Sequence, residues 1–467
     1  MGDVKGYARE WLRSVFTGWH RPTTHPIDDS GEGAESVVGF VLAASIVGAL
    51  TGLAAASFRL LLDHANELRD SLSAWAHDSW SGLVVVVAVC ALCTTAAAAL
   101  VKRVEPNAEG SGIPRIEAIV EGRSDPDRFR VLPIKYIGGL LSIGAGLALG
   151  REGPSVQMGG SIAMIVASVT RRSQADLRIL AAGGAAAGLA TAFNAPIAGG
   201  VFVLEELVKR FDPRTTVATL VASASGFAAA YPFVHSRTEL HTPHLDNPQL
   251  ANSGWVLAVG IVTGILAVLY NKAIIFGLRV TDASRWPVEA RAAVIGTGVG
   301  ILVWLAPNLA GGGDNLTQQA LLGQGAIGTV TGALMLRFVL GVASYAAATP
   351  GGLFAPMLVL GADAGLIVGL VANHLTPHMA PNAAALALIG MAAFFSASVQ
   401  APITGLILAT ELTGTTNQLP PMLGACATAL LVAIVLRSRP IYDLLTERAA
   451  ASNSYKPRRA IDNGGQS

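Results

Sequence analysis

The sequence predicts an all-α, polytopic membrane protein with two inverted-topology repeats of many tilted, broken helices. Three observations predict it. Of 467 residues, 52% are hydrophobic and only 13% charged, with a mean hydropathy of +0.52, a balance foreign to soluble enzymes. The apolar runs are broken by Gly and Pro at Gly110 to Pro114, Gly150 to Pro154, Ala195-Pro196, Gly311 to Gly313, Gly351 to Pro356 and Ala401-Pro402. Non-helical backbone survives at membrane depth only where protein or a wet cavity shields it. Finally, the second half of the chain repeats the first.

Residues 1–36 read as a cytoplasmic N-terminal segment. The patch Trp11, Leu12, Val15 and Phe16 is amphipathic and lies along the membrane surface. Lys5, Arg9, Arg13 and Arg21 place it inside by the positive-inside rule. No apolar core followed by a cleavage site is present, so no signal peptide is expected. A first membrane repeat occupies 37–235. Its first span runs from Val37 to Leu62, the polar stretch His64 to Trp80 reads as an outer loop, and its second span, Leu83 to Val101, ends at Lys102-Arg103 on the inside. Residues 236–252 form an external linker. His235, His241, His244, Glu239 and Asp246 cluster there, but Pro243 interrupts any scaffold and the spacing suits no metal, so a solvated loop is the reading. The second repeat spans 253–446. The tail, 447–467, carries Arg448, Lys456, Arg458 and Arg459 and is again cytoplasmic. Cys90 and Cys93, spaced like a metal or redox pair, and Cys426 sit in apolar runs and read as packing residues. Net charge +1 argues against a nucleic-acid partner. No metal or other cofactor is expected.

The repeat is visible residue by residue. Gly184 to Ala187, Asn194 to Gly199 and Glu205 match Gly390 to Ala393, Gln400 to Gly405 and Glu411 at an offset of 206. Gly150 to Pro154 aligns with Gly352 to Pro356, and Lys135 with Arg337, at an offset of 202. Gly110-Ser111-Gly112 aligns with Gly311 to Gly313 at 201. Repeats of this size in a membrane protein suggest two halves sharing a site.

Three pentapeptides of the pattern Gly-x-x-x-Pro carry the chemistry: Gly110-Ser111-Gly112-Ile113-Pro114, Gly150-Arg151-Glu152-Gly153-Pro154 and Gly352-Leu353-Phe354-Ala355-Pro356. Each precedes a helix-compatible run, with Pro in the first turn, where its missing N–H costs nothing. Helix N-termini with free amides and a positive dipole attract anions. Three of them converging make an anion site, and Glu152 is one anion able to fill it; a dissolved anion is another. A weakly basic anion such as chloride suits amides and the Ser111 hydroxyl, because it also leaves readily. An Arg and a Glu at that depth need a reason.

With Phe193 to Pro196, Glu205-Glu206 and Pro440-Ile441-Tyr442, these motifs make the chain resemble, from about Val37 to Leu445, the CLC family of chloride channels and chloride/proton exchangers. The resemblance implies a chloride held by the hydroxyls of Ser111 and Tyr442 and the amides of Leu353 and Phe354. It implies Glu152 as the gating and outer proton-transfer acid and Glu206 as the inner one. It implies a homodimer with one pathway per subunit, in a bacterial inner membrane, moving chloride and protons. Glu117, Glu205 and Glu411 read as structural acids, and Asp363 has no counterpart in the family pattern. A passive chloride channel of the same fold lacks the acid at Glu206. Fluoride exporters lack Tyr442, and plant nitrate exchangers carry Pro at the position of Ser111. Gly311 to Asp314 and Tyr442-Asp443 resemble intramembrane aspartyl protease motifs, but in reversed order.

Overall fold

The computed structural model describes residues 34–77, 79–127, 129–234, 239–376 and 381–451. The amphipathic patch at Trp11 and the tail beyond residue 451 lie outside them. The chain divides into a short unit, Met1–Phe40, and a body, Val41–Ser467; everything below concerns the body.

Seventeen α-helices run through the described residues, and their order is played twice. The first series is α1 (Ala34–Ala76), α2 (Trp80–Arg103), α3 (Ile113–Val120), α4 (Val131–Gly144), α5 (Glu152–Val169), α6 (Gln174–Phe193), α7 (Pro196–Phe202) and α8 (Pro213–Ala230). The second is α9 (Ser253–Ala283), α10 (Val288–Leu305), α11 (Asp314–Leu321), α12 (Ile327–Tyr345), α13 (Phe354–Leu375), α14 (Ala383–Val399), α15 (Pro402–Thr413) and α16 (Leu419–Val435). Even the short 3₁₀ turns before the third helix of each series correspond, Pro106–Ala108 and Pro307–Leu309. A last helix, α17 (Ile441–Ala451), follows the second series. Among the described residues six helices are long and apolar enough to cross a membrane, and others are much shorter. The chain is therefore no simple row of spans.

One element departs from the sequence reading. α1 does not stop at Leu62 but continues to Ala76. The stretch Asp63 to Ala76 is polar but contains neither Gly nor Pro. The pairs Arg59–Asp63 (4.0 Å) and His64–Glu67 (3.4 Å) support it at helical spacing. The loop expected from His64 to Trp80 is thus helical as far as Ala76, and Ser79 caps α2 by accepting the Gly82 N–H at 3.0 Å.

Equivalent contacts recur across the two series. Lys135 Nζ donates to the carbonyls of Ala108 (3.1 Å) and Gly110 (2.6 Å). Its mate, Arg337, donates to those of Leu309 (3.1 Å), Gly311 and Gly312 (both 2.7 Å). Glu205 accepts the N–H groups of Ile403 and Thr404 at the start of α15; Glu411 accepts those of Ile197 and Ala198 at the start of α7. Gly150 and Gly352 exchange both backbone hydrogen bonds, at 2.9 and 2.7 Å, in an antiparallel bridge. Each residue there meets its own mate, which places a local two-fold axis between them. Equivalent segments run in opposite directions where they meet, the mark of inverted repeats.

Small residues let the helices close up. A Cβ on Gly159 of α5 would overlap the carbonyl of Gly184 on α6, and the reverse also holds. Gly361 of α13 and Gly390 of α14 repeat the arrangement at offsets of 202 and 206. Helix pairs in lipid associate through such close approach, since burying apolar surface gains little there.

Candidate functional site

The three Gly-x-x-x-Pro segments come together on the two-fold axis. Gly110 N–H donates to Thr349 O (3.1 Å), and Gly351 N–H to Gly110 O (3.0 Å), joining the first segment to the run before the third. The Gly150–Gly352 bridge joins the second segment to the third. Gly153 lies so near Ser111 that a Cβ there would stand 2.5 Å from Ser111 Oγ. A side chain at Gly153 would displace that hydroxyl, so this position needs glycine for space. Gly112 takes a positive φ of 83°, which turns the chain into α3. Ile113-Pro114, Gly153-Pro154 and Ala355-Pro356 then form the first turns of α3, α5 and α13.

Two serines hold the loops from behind. Ser142 Oγ donates to Pro350 O at 2.5 Å. Its mate, Ser344, accepts the N–H of Ala148, the mate of Pro350, at 3.0 Å. The bond reverses direction because Pro350 has no N–H to give. The neighbouring Tyr345 hydroxyl accepts the Ser111 N–H at 3.4 Å.

The Glu152 side chain is fully buried and turned onto the start of α13. Its Oε1 accepts the N–H of Ala355 at 2.9 Å. The carboxylate thus occupies the positive end of a helix whose first-turn amides have no intrahelical partner. The resemblance gave the amides of Leu353 and Phe354 to chloride; the one Glu152 engages belongs to the next residue, Ala355, which the sequence reading did not single out. Ser111 Oγ and Tyr442 Oη are both buried and have no hydrogen-bond partner among the described residues. Buried hydroxyls are rarely left so, since each costs about 1–3 kcal/mol unpaired.

Tyr442 lies within electrostatic range of both Glu152 and Glu206. Its ring stacks on Phe354 (centroids 6.1 Å apart) and meets Phe202 edge-on (6.3 Å), while Phe354 also packs on Phe395 (4.6 Å). This aromatic wall joins α7, α13, α14 and α17, and only Phe354 and Tyr442 of it were singled out from sequence. Glu206 is buried on the π-turn Val203–Leu207 that ends α7, its Oε1 unpartnered among the described residues. Its neighbour Glu205 faces away, onto α15. Glu117, another buried acid, is fully engaged by Lys209 Nζ (3.1 Å) and Thr446 Oγ1 (3.0 Å). Lys209 also pairs with Asp443 (2.7 Å). Asp363 finds its electrostatic partner in Arg337.

Cavities open on both sides of the convergence. One is lined by Asp63, Arg151, Glu152, Glu239, Asp314 and Ala355, among others. The other, of about 120 Å³, is lined by Glu109, Ser111, Arg115, Tyr345 and Arg448, among others. Glu152 thus fronts one opening and Ser111 the other. Asp314 belongs to the first opening and Asp443 is held by Lys209, so the two are not assembled as a protease pair. No metal-binding cluster occurs among the described residues; His235 lies outside them. Most of the described linker is exposed, as its polarity suggests, but its glutamate is not free. Glu239 bridges Arg59 and Arg151, contacts no local sequence pattern could have announced.

Comparison with known proteins agrees with this geometry. The family model described as voltage gated chloride channel matches residues 93–434. The H(+)/Cl(-) exchange transporter ClcA of Cronobacter sakazakii is 34% identical over 436 residues, covering 90% of this chain and 92% of that protein. Its namesake from Vibrio parahaemolyticus is 32% identical over 436 residues, covering 91% and 92%. The crystal structure of a slow cyanobacterial Cl−/H+ antiporter superposes with a TM-score of 0.84 at 31% identity, covering 89% of this chain and 99% of that one. A CLC-type fluoride/proton antiporter, at 19% identity and a TM-score of 0.76, shares the fold. With its doubled helix series, its three converging helix starts and these matches, the chain belongs to the voltage gated chloride channel family, the CLC family.

Proposed function

We propose that the protein is a secondary active antiporter that exchanges chloride for protons across a bacterial inner membrane. The observation that carries this reading is the Glu152 carboxylate seated on the Ala355 N–H, with the unpartnered hydroxyls of Ser111 and Tyr442 beside it. An acidic side chain that holds an anion-binding helix end competes with any anion for that end. Protonation removes its charge, and with it a charge-assisted hydrogen bond of roughly 1.5–3 kcal/mol and its attraction to the helix dipole. Chloride then takes the amides, with Ser111, Tyr442, Leu353 and Phe354 as its ligands. The proton carried by Glu152 passes inward to Glu206 through water. Each cycle moves chloride one way and protons the other. The relatives named as exchangers support this assignment.

The working unit in this reading is a homodimer with one pathway per subunit and both termini in the cytoplasm. Ile197 and Ile403, 56% and 51% exposed, flank the partly exposed carboxylates Glu411 and Glu205. A charge beside lipid is costly; a second copy over this face removes it from lipid. The Lys and Arg of both tails support their orientation.

The test is flux in proteoliposomes, following chloride and pH together. A chloride gradient is expected to drive protons uphill, and a proton gradient to shift the reversal potential away from the chloride equilibrium value. A reversal potential that ignores the proton gradient sinks the exchanger reading in favour of a passive chloride channel. The buried acid Glu206 favours the exchanger.

A further inference from the structure

The loop between the halves reaches the outer face of the gate. Glu239 ion-pairs through Oε1 with Arg151 Nη2, and through Oε2 with Arg59 Nη2 at 2.8 Å. Arg151 directly precedes Glu152, and its Nε donates to Ala192 O at 3.0 Å, which fixes the guanidinium plane. Asp63 stands 3.6 Å from Arg151 and 4.0 Å from Arg59. The loop is fastened directly after its glutamate. Leu240 N–H donates to Leu412 O at 3.0 Å, and the His241 backbone exchanges two 2.8 Å hydrogen bonds with the Gln318 side chain. Glu239 is therefore held in place and not merely attracted from solvent.

The charged groups that face Arg151 are Arg59 and Asp63 from α1, Glu239 from the loop, Glu152 from its own segment and Asp314 from the start of α11. Two guanidiniums are balanced by Asp63 and Glu239. The side chains of Arg59, Arg151 and Glu239 are each less than a fifth exposed, so water screens the balance weakly. Without Glu239, the cluster, Asp314 included, carries one more unit of positive charge than with it, a surplus beside the gate. Such a surplus stabilises a carboxylate at Glu152 and opposes its protonation.

We infer that Glu239 is a positioning residue for the gate: by neutralising Arg59 and Arg151 across the outer mouth, it sets the field in which Glu152 exchanges its proton. This rests on the reading of Glu152 as the gate. A purely structural Glu239 would lower protein yield or turnover without moving the pH dependence of transport.

The experiment measures chloride flux in proteoliposomes at symmetric pH for the wild type, Glu239→Gln, Glu239→Asp and Asp63→Asn. In Glu239→Gln the midpoint of activation by protons is expected to move about half to one unit toward acid. Glu239→Asp is expected to lie near the wild type, and Asp63→Asn to move the same way by less, since Asp63 is more exposed. In a Glu152→Gln background, Glu239→Gln is expected to leave the pH profile unchanged. A folded Glu239→Gln protein with the wild-type midpoint overturns the inference, as does a shift that persists without the Glu152 carboxylate. If Glu239→Gln does not fold, an unmoved midpoint in Asp63→Asn overturns it instead. A wild type that moves no chloride fails the exchanger reading itself, which separates the two failures.

Discussion

The two halves of the molecule are alike where they hold the backbone and unlike where they meet the pathway. Lys135 and Arg337 tie down corresponding carbonyls. Glu205 and Glu411 cap each other's helices. At the same offsets, however, Glu152 stands against Phe354, Ser111 against Gly312 and Glu206 against Leu412, while Tyr442 lies on the helix that follows the second series. The two-fold brings several helix ends to one place, which no single half can do. Breaking the two-fold then puts an acid on one side of that place and an aromatic ring on the other. On this comparison, substitutions at matched positions have matched effects on stability, and substitutions at unmatched positions change transport.

The largest expected effect is at Glu152, whose counterpart is a phenylalanine. Glu152→Ala is expected to abolish proton movement against a gradient while chloride still flows, read by following pH and chloride in the same vesicles. Proton pumping by that variant would remove Glu152 from the mechanism. Next is Glu206, whose counterpart is a leucine. Glu206→Gln is expected to cut proton flux at least tenfold and leave more than half of the chloride flux. If both fluxes fall in proportion, Glu206 is part of the anion path or the fold, and the assignment of an inner proton acid is wrong.

The matched cations come third. Lys135→Met leaves the Ala108 carbonyl without a donor, at about 1–3 kcal/mol, and takes from Gly110 O one of its two donors, the Gly351 N–H being the other. Arg337→Met leaves three carbonyls without theirs, those of Leu309, Gly311 and Gly312. Both are expected to lower the apparent melting temperature in detergent, Arg337→Met by more. A silent Lys135→Met variant would mean that the loop before α3 is held by the backbone bonds of Gly110 to Thr349 and Gly351 alone.

What could be read beforehand follows the same division. The repeat, the three glycine-proline segments and the Lys135–Arg337 match are written in local spacing, and local spacing survives in a sequence. The far end of α1 was missed because hydropathy falls after Leu62, and polarity alone does not distinguish a loop from a helix leaving the bilayer. The absence of Gly and Pro from Asp63 to Ala76 was the available signal. Glu239 was read as solvated because a free carboxylate and a pinned one look alike in a polar stretch; its partners stand 88 and 180 residues away. The Ala355 amide was not singled out because helix geometry, not motif position, decides which N–H points at Glu152.

The smallest effects test the comparison most sharply, because they concern positions that are nearly but not fully equivalent. Glu205 accepts the N–H groups of Ile403 (3.1 Å) and Thr404 (2.7 Å) and also the Thr404 hydroxyl (2.7 Å). Glu411 accepts those of Ile197 (3.1 Å) and Ala198 (2.7 Å), and Ala198 has no hydroxyl to add. Glu205→Ala and Glu411→Ala each leave two helix-start N–H groups without their acceptor, at about 1–2 kcal/mol by the usual size of a helix cap. Glu205→Ala is expected to cost about 1 kcal/mol more, the worth of the extra hydroxyl bond. In a Thr404→Ala background the two losses are expected to become equal, as measured by unfolding in detergent. If Glu411→Ala proves the costlier change, or if Thr404→Ala leaves the gap open, then the matched distances hide an unmatched environment, and the two-fold stops at the helix starts of α7 and α15.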